Sequence, residues 1–110
     1  MAQQIEGGVA QAIGYTLYEN VVWHDGKMVN NQMTNYIIPT AADIPPIRVL
    51  FEERPYEYGP AGAKGIGELP MDGPAPAIAN AIENAIGLPI DRIPVLSESL
   101  LEIMDGVSAR

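Results

Sequence analysis

The stretch Gly59-Pro60-Ala61-Gly62-Ala63-Lys64-Gly65-Ile66-Gly67-Glu68 constrains this chain more than any other. Glycines at this density bring backbone against backbone, or against a ligand, where side chains would clash. They build neither a good helix nor a good strand, and they suit the wall of a cavity. A carboxylate closes the run. Glu68 is therefore either the working group of that cavity or a charged residue on a loop. Burial strengthens a carboxylate as a base near neutral pH, and exposure leaves it an ordinary acid. Lys64, four residues earlier, either anchors an anion or pairs with an acid on the surface. The run is not a phosphate-binding P-loop, because the Gly-Lys-Ser/Thr ending is missing. It also does not open a strand–helix–strand unit as a dinucleotide fingerprint does.

The remainder reads as two main helices, short strands and a short C-terminal helix. Ile5, Val9, Ile13 and Leu17 recur every four residues, which predicts an amphipathic helix from near Gln4 to about Glu19. Gly7, Gly8 and Gly14 lie within it. Each costs about 0.5–1 kcal/mol against alanine in a helix interior, so close packing is the expected return. Val21-Val22-Trp23 reads as a strand leading into a turn at Asp25-Gly26. The clearest strand is Ile47 to Glu52, with Ile47, Val49 and Phe51 on one face. Glu53 to Gly73 reads as one long loop, a length that is often functional. A second helix starts at Asp72-Gly73-Pro74, carries Ile78, Ala81, Ile82, Ala85 and Ile86 on its apolar stripe, and stops at Gly87. Ser97 to Met104 is a last short helix, and 105–110 a flexible tail. The whole, residues 1–110, is a single unit of the α/β (α+β) class.

Composition excludes several functions. Six basic residues against fourteen acidic ones give a charge of -8, which disfavours nucleic acid and anionic membrane surfaces. No cysteine is present, so this chain offers no thiolate to an iron–sulfur cluster or a zinc site. His24 is the one histidine and sits beside a turn. No serine or threonine stands in a nucleophile-elbow context. The apolar stretches are far shorter than a membrane span, and the start lacks the pattern of a signal peptide, so the expected location is cytoplasmic. Gln3 and Gln4, at the mouth of the first helix, read from local sequence first as a solvated pair, with hydrogen-bonding groups for a ligand as the alternative.

Four blocks in register carry a resemblance. They are Gln4-Ile5-Glu6-Gly7-Gly8, Tyr36 to Pro45, Gly59 to Glu68, and Pro76-Ala77-Ile78-Ala79-Asn80-Ala81-Ile82. In order and spacing they resemble the C-terminal part of the molybdopterin-binding subunit of the xanthine dehydrogenase and aldehyde oxidase family, over roughly residues 3–104. The resemblance implies a C-terminal fragment of the molybdopterin-binding domain, with the glycine-rich run as an active-site loop. It implies Glu68 as the catalytic base and Gln4 as a contact to the pterin. By the same resemblance, the backbone of Gly65 and Ile66 lies near the metal centre. The cofactor it implies is molybdenum-molybdopterin, shared with a partner chain. The metal is held through the pterin dithiolene and not by this chain. The implied activity is hydroxylation of an electron-poor carbon in an N-heterocycle or an aldehyde. Its implied partners are a larger molybdopterin-binding chain, an iron–sulfur chain and a flavin (FAD) chain. Further cofactor-binding segments of that subunit have no counterpart here, so the resemblance implies a chain catalytically incomplete alone. The alternative reading is a non-catalytic assembly module that keeps the family fold without cofactor.

Overall fold

A computed structural model describes residues 1–108, with side-chain environments through residue 106. In chain order the elements are α1 (Ala2–Leu17), β1 (Trp23–His24), β2 (Lys27–Met28), α2 (Leu69–Asp72), α3 (Pro74–Ile86) and α4 (Ser97–Ser108). A 3-10 turn spans Pro60–Gly62. This is an α+β arrangement, and its one described sheet is the antiparallel pair β1–β2.

α1 begins two residues before the expected start and ends at Leu17. Its four-residue stripe is only half-buried, and the fully enclosed positions are Ala12, Gly14 and Thr16. The Thr16 hydroxyl donates back to the Ala12 carbonyl at 2.6 Å. The Thr16 carbonyl accepts from the Val95 N–H at 2.7 Å, which ties the C-terminal segment to the helix. Ala12, Thr16 and Val95 are the centre of a very small core. Two helix glycines pack as expected. A Cβ on Gly8 would stand 2.6 Å from Pro70, and one on Gly14 would stand 3.0 Å from Pro39. Gly7 faces open space.

The Asp25-Gly26 turn forms with both residues at positive φ, the conformation that matches the twist of a two-residue hairpin. Asn30 braces its base. Its side chain accepts from the Val22 N–H at 2.9 Å and donates to the Asn20 carbonyl at 2.6 Å. The strand pairing itself starts at Trp23 instead of Val21.

Between Pro39 and Pro45 the chain bends around Asp43. Its carboxylate accepts from the Thr40 hydroxyl and the Thr40 N–H, each at 2.7 Å. These hydrogen bonds, hydroxyl first, hold the Asp43 carboxyl below its ordinary 3.8. A folded-state value below the unfolded one gives stability that is present above the unfolded value and lost as pH falls through the folded one. An NMR titration of Asp43 is expected to show a midpoint below 3.8, moving upward in Thr40→Ala. Just before the bend, the Tyr36 hydroxyl donates to Glu19 at 2.7 Å and anchors the segment to the end of α1.

Several expectations need correction. Ile47 to Glu52 is extended but forms no strand ladder, because no other described strand lies beside it. Glu53 to Gly73 is not one structureless loop, since it contains the 3-10 turn and α2. The expected tail at 105–110 is helical through Ser108, and its last two positions lie outside the described residues. The second main helix has its expected bounds, but its stripe is not buried as expected: Ile78, Ile82 and Ile86 are half-buried, and Ala81 and Ala85 are exposed. Pro74 opens α3, and Gly87 ends it at φ 71°, a left-handed conformation that costs glycine nothing, with its N–H on the Glu83 carbonyl at 2.8 Å.

The radius of gyration is 17.8 Å, against about 13 Å for a compact domain of this length. α3 fully buries none of its residues, and Trp23 is 66% exposed. A chain with 47% apolar residues and so small a core has its apolar surface turned outward.

Candidate functional site

The glycine-rich run leads straight into α2, and α1 holds that junction at two points. Gln4, in the first turn of α1, donates its side-chain Nε2–H to the Gly67 carbonyl at 3.2 Å. Four residues along the same helix, Gly8 leaves room for Pro70, the buried residue of α2. Glu68 sits between these two fixings. The missing Cβ of Gly8 is what lets α2 come this close, because any side chain there would meet the proline ring.

The backbone at Glu68 is locked as well. The Leu69 N–H donates to the Ile66 carbonyl at 2.9 Å, and the Met71 N–H donates to the Glu68 carbonyl at 2.8 Å. Gly67 takes φ 39°, a turn conformation that favours glycine. The Glu68 side chain is exposed and has no hydrogen-bond partner among the described residues. Within this chain the buried-carboxylate reading is therefore not realised. The main chain fixes where the carboxylate starts and leaves both oxygens free.

The loop contributes to two open recesses. One, of about 590 Å³, is lined by Met1, Ile5, Phe51, Gly65, Ile66 and Leu69 among others. The other, of about 500 Å³, includes Tyr56, Tyr58, Lys64 and Gly65. The two tyrosines meet edge to face with ring centres 5.7 Å apart. Gly65 and Ile66 thus face a recess, whereas Gln4 and Glu68 lie outside both linings. Lys64 is exposed and forms no ion pair among the described residues. His24 contacts Asp25 at 3.4 Å on the exposed hairpin, far from this loop in sequence. Among the described residues, no three of His, Asp and Glu come together as metal ligands.

Residues 1–45 match the model of the molybdopterin cofactor-binding domain. The chain is 36% identical over 102 residues to a probable xanthine dehydrogenase subunit of Bacillus subtilis (strain 168), covering 93% of this chain and 14% of that protein. It is 38% identical over 102 residues to the aldehyde oxidoreductase of Megalodesulfovibrio gigas, covering 92% of this chain and 11% of that one. The crystal structure of quinoline 2-oxidoreductase from Pseudomonas putida 86 superposes with a TM-score of 0.86 at 35% identity, over 94% of this chain and 14% of its own. At the level of family, the chain matches the molybdopterin-binding subunits of xanthine dehydrogenases and aldehyde oxidoreductases. It spans about one seventh of the length of the first of these relatives.

Sequence reasoning singled out Gln4, Gly65, Ile66 and Glu68 separately. The structure adds the bond from Gln4 to Gly67, across 63 positions. It also adds Pro70 as the neighbour that packs on Gly8, where the sequence predicted close packing without naming a partner. The tether is testable. Gln4→Leu removes the amide donor, an exposed hydrogen bond worth about 0.5–1.5 kcal/mol. Hydrogen exchange at the Leu69 and Met71 amides, which bond to the Ile66 and Glu68 carbonyls, is expected to quicken up to about 10-fold, in line with that free energy. Unchanged exchange would show that the tether holds nothing in place.

Proposed function

We propose that this chain is the C-terminal part of the molybdopterin-binding portion of a molybdenum-dependent oxidoreductase, in which Glu68 is the base and Gln4 a contact to the pterin. The observation that carries this is the hydrogen bond from Gln4 to Gly67, which couples the cofactor-side residue to the carbonyl next to Glu68. The relatives' names, xanthine dehydrogenase, aldehyde oxidoreductase and quinoline 2-oxidoreductase, support an electron-poor carbon of an N-heterocycle or an aldehyde as the site of attack.

The residues fit a share of the cofactor's contacts. The Cβ positions of Gly7, Gly65 and Gly67 all face open space, so the first turn of α1 and the loop present a face free of side-chain bulk. A flat, amide-bearing ring can approach such a face. Gln4 would meet it with its carbonyl Oε1, which has no partner among the described residues while Nε2 is engaged. Gly65 and Ile66 would line the side nearest the metal. The described residues offer no thiolate and no cluster of three metal ligands, so this chain would not coordinate the metal itself.

When bound, the molybdenum cofactor supplies two-electron redox chemistry and Lewis-acid activation of the attacking oxygen. Glu68 takes up the proton that this oxygen gives up, at a carboxylate oxygen free of internal hydrogen bonds. The locked Ile66–Met71 backbone sets the position of that base, and Gln4 holds the turn in register with the cofactor face. The exposed Leu69 and the half-buried Ile66 flank the base with apolar surface and keep water from it once the partner covers the site. Iron–sulfur and flavin chains would take the electrons onward, since this chain has no cysteine to hold a cluster.

Dye-reduction assays test the reading. The native assembly containing this chain is expected to reduce an artificial electron acceptor when given an N-heterocycle or an aldehyde. The chain separated from that assembly is expected to hold no stoichiometric molybdenum and to show no turnover. Full molybdenum loading with turnover in the separated chain would contradict the shared site, and an inert native assembly would contradict the activity.

A further inference from the structure

Residues 44–55 run between two folded parts of the chain without a backbone partner. Among the described residues, none of their N–H or C=O groups bonds to another backbone group. Yet the residues alternate as a strand does. Ile47 and Val49 are half-buried on one face, and Leu50, on the other, is 76% exposed. Such an edge is a template for a further strand, which takes affinity from main-chain hydrogen bonds and specificity from alternate side chains. Proteins that leave an edge free blunt it with lysines, prolines or bulges. Here Pro45, Pro46 and Pro55 bracket the segment, and nothing from Ile47 to Phe51 blunts it except Arg48.

Two observations choose the occupant. A second copy pairing through this edge would cover only the edge. It would leave Trp23 on the hairpin, Met33 in the following loop and Leu101 on α4 exposed, although they lie on other elements. The superposed quinoline 2-oxidoreductase carries this same fold as 14% of a longer chain, so the backbone sits there inside a body about seven times its size. We infer that residues 47–52 pair as an added strand with a strand of the larger chain that completes the molybdopterin-binding fold. That strand would present apolar residues level with Leu50, which is 76% exposed in this chain. The pairing would also brace Phe51, which lines the recess shared with Gly65 and Ile66.

The inference rests on the functional reading above, and one experiment separates the two. In the native assembly, hydrogen exchange is read across 47–52, with a photo-reactive leucine at position 50 and molybdenum content measured in parallel. Exchange at least 100-fold slower than the intrinsic peptide rate, with cross-links to the larger chain, is the expected result. Exchange at the intrinsic rate, or cross-links from Leu50 to a second copy of this chain, would overturn the pairing. If molybdenum is present while 47–52 exchange freely, the pairing fails and the functional reading stands. If the segment is protected by a larger chain in an assembly without the cofactor, the pairing stands and the functional reading fails.

Discussion

Glu68→Gln in the native assembly is expected to lower kcat by about 10²–10⁴-fold, the range that a general base contributes. Molybdenum and pterin content should be unchanged. The substitution keeps shape and removes only the capacity to accept a proton. It breaks no hydrogen bond among the described residues, because the side chain makes none, and it keeps the size of the side chain. Assembly and thermal stability should therefore match the parent. These controls distinguish loss of the base from loss of fold. Near-normal turnover with normal cofactor content would remove Glu68 from the role proposed for it.

The second large effect is expected at Gly8. The added methyl of Gly8→Ala would stand 2.6 Å from the Pro70 Cβ and 3.2 Å from its carbonyl carbon. Neither atom is the loose end of a flexible side chain, so α2 must move. Overpacking of this kind costs about 1–3 kcal/mol, offset in part by the roughly 0.5–1 kcal/mol that alanine gains over glycine in a helix. The larger consequence is positional. Pro70 lies two residues after Glu68, and a displacement of the order of 1 Å at a catalytic group costs about 10²-fold in rate. We expect Gly8→Ala to lower kcat about 10–100-fold with little change in KM, by steady-state kinetics. Gly73→Ala is the contrasting variant, because its methyl meets no atom within 4 Å and Gly73 has no place in the proposed cofactor face. Equal kinetic losses at Gly73 and Gly8 would show a general cost of added bulk, and no loss at Gly8 would dismiss the seating of Pro70.

What was legible in the sequence follows a physical line. α1, α3 and the Asp25-Gly26 turn are local. A four-residue apolar spacing, a proline at a helix start, a glycine at its end and a turn pair each declare themselves within a few positions. α2 did not declare itself, because four residues are too few to show a period. It exists through its seat on Gly8 and the backbone bonds around Glu68. The Ile47–Glu52 segment has the right alternation and no ladder, since a strand needs a neighbour that local pattern cannot supply. The candidate site divides in the same way. Glycine density and the closing carboxylate were readable, and the roles proposed for them rest on the resemblance to a known family. The bond from Gln4 to Gly67 was not readable, because it spans the chain. The small core explains the remaining difference. Apolar residues that a self-sufficient domain would bury, such as Leu50 and Leu69, are exposed in this chain.

The most direct test of the central claim is the mass and molybdenum content of the native complex that contains this chain. The predicted result is one large assembly holding molybdenum and pterin in equal amounts, with this chain present once per cofactor. A stable monomer or self-oligomer with neither molybdenum nor pterin would contradict it, and would leave the chain a family fold kept for assembly alone.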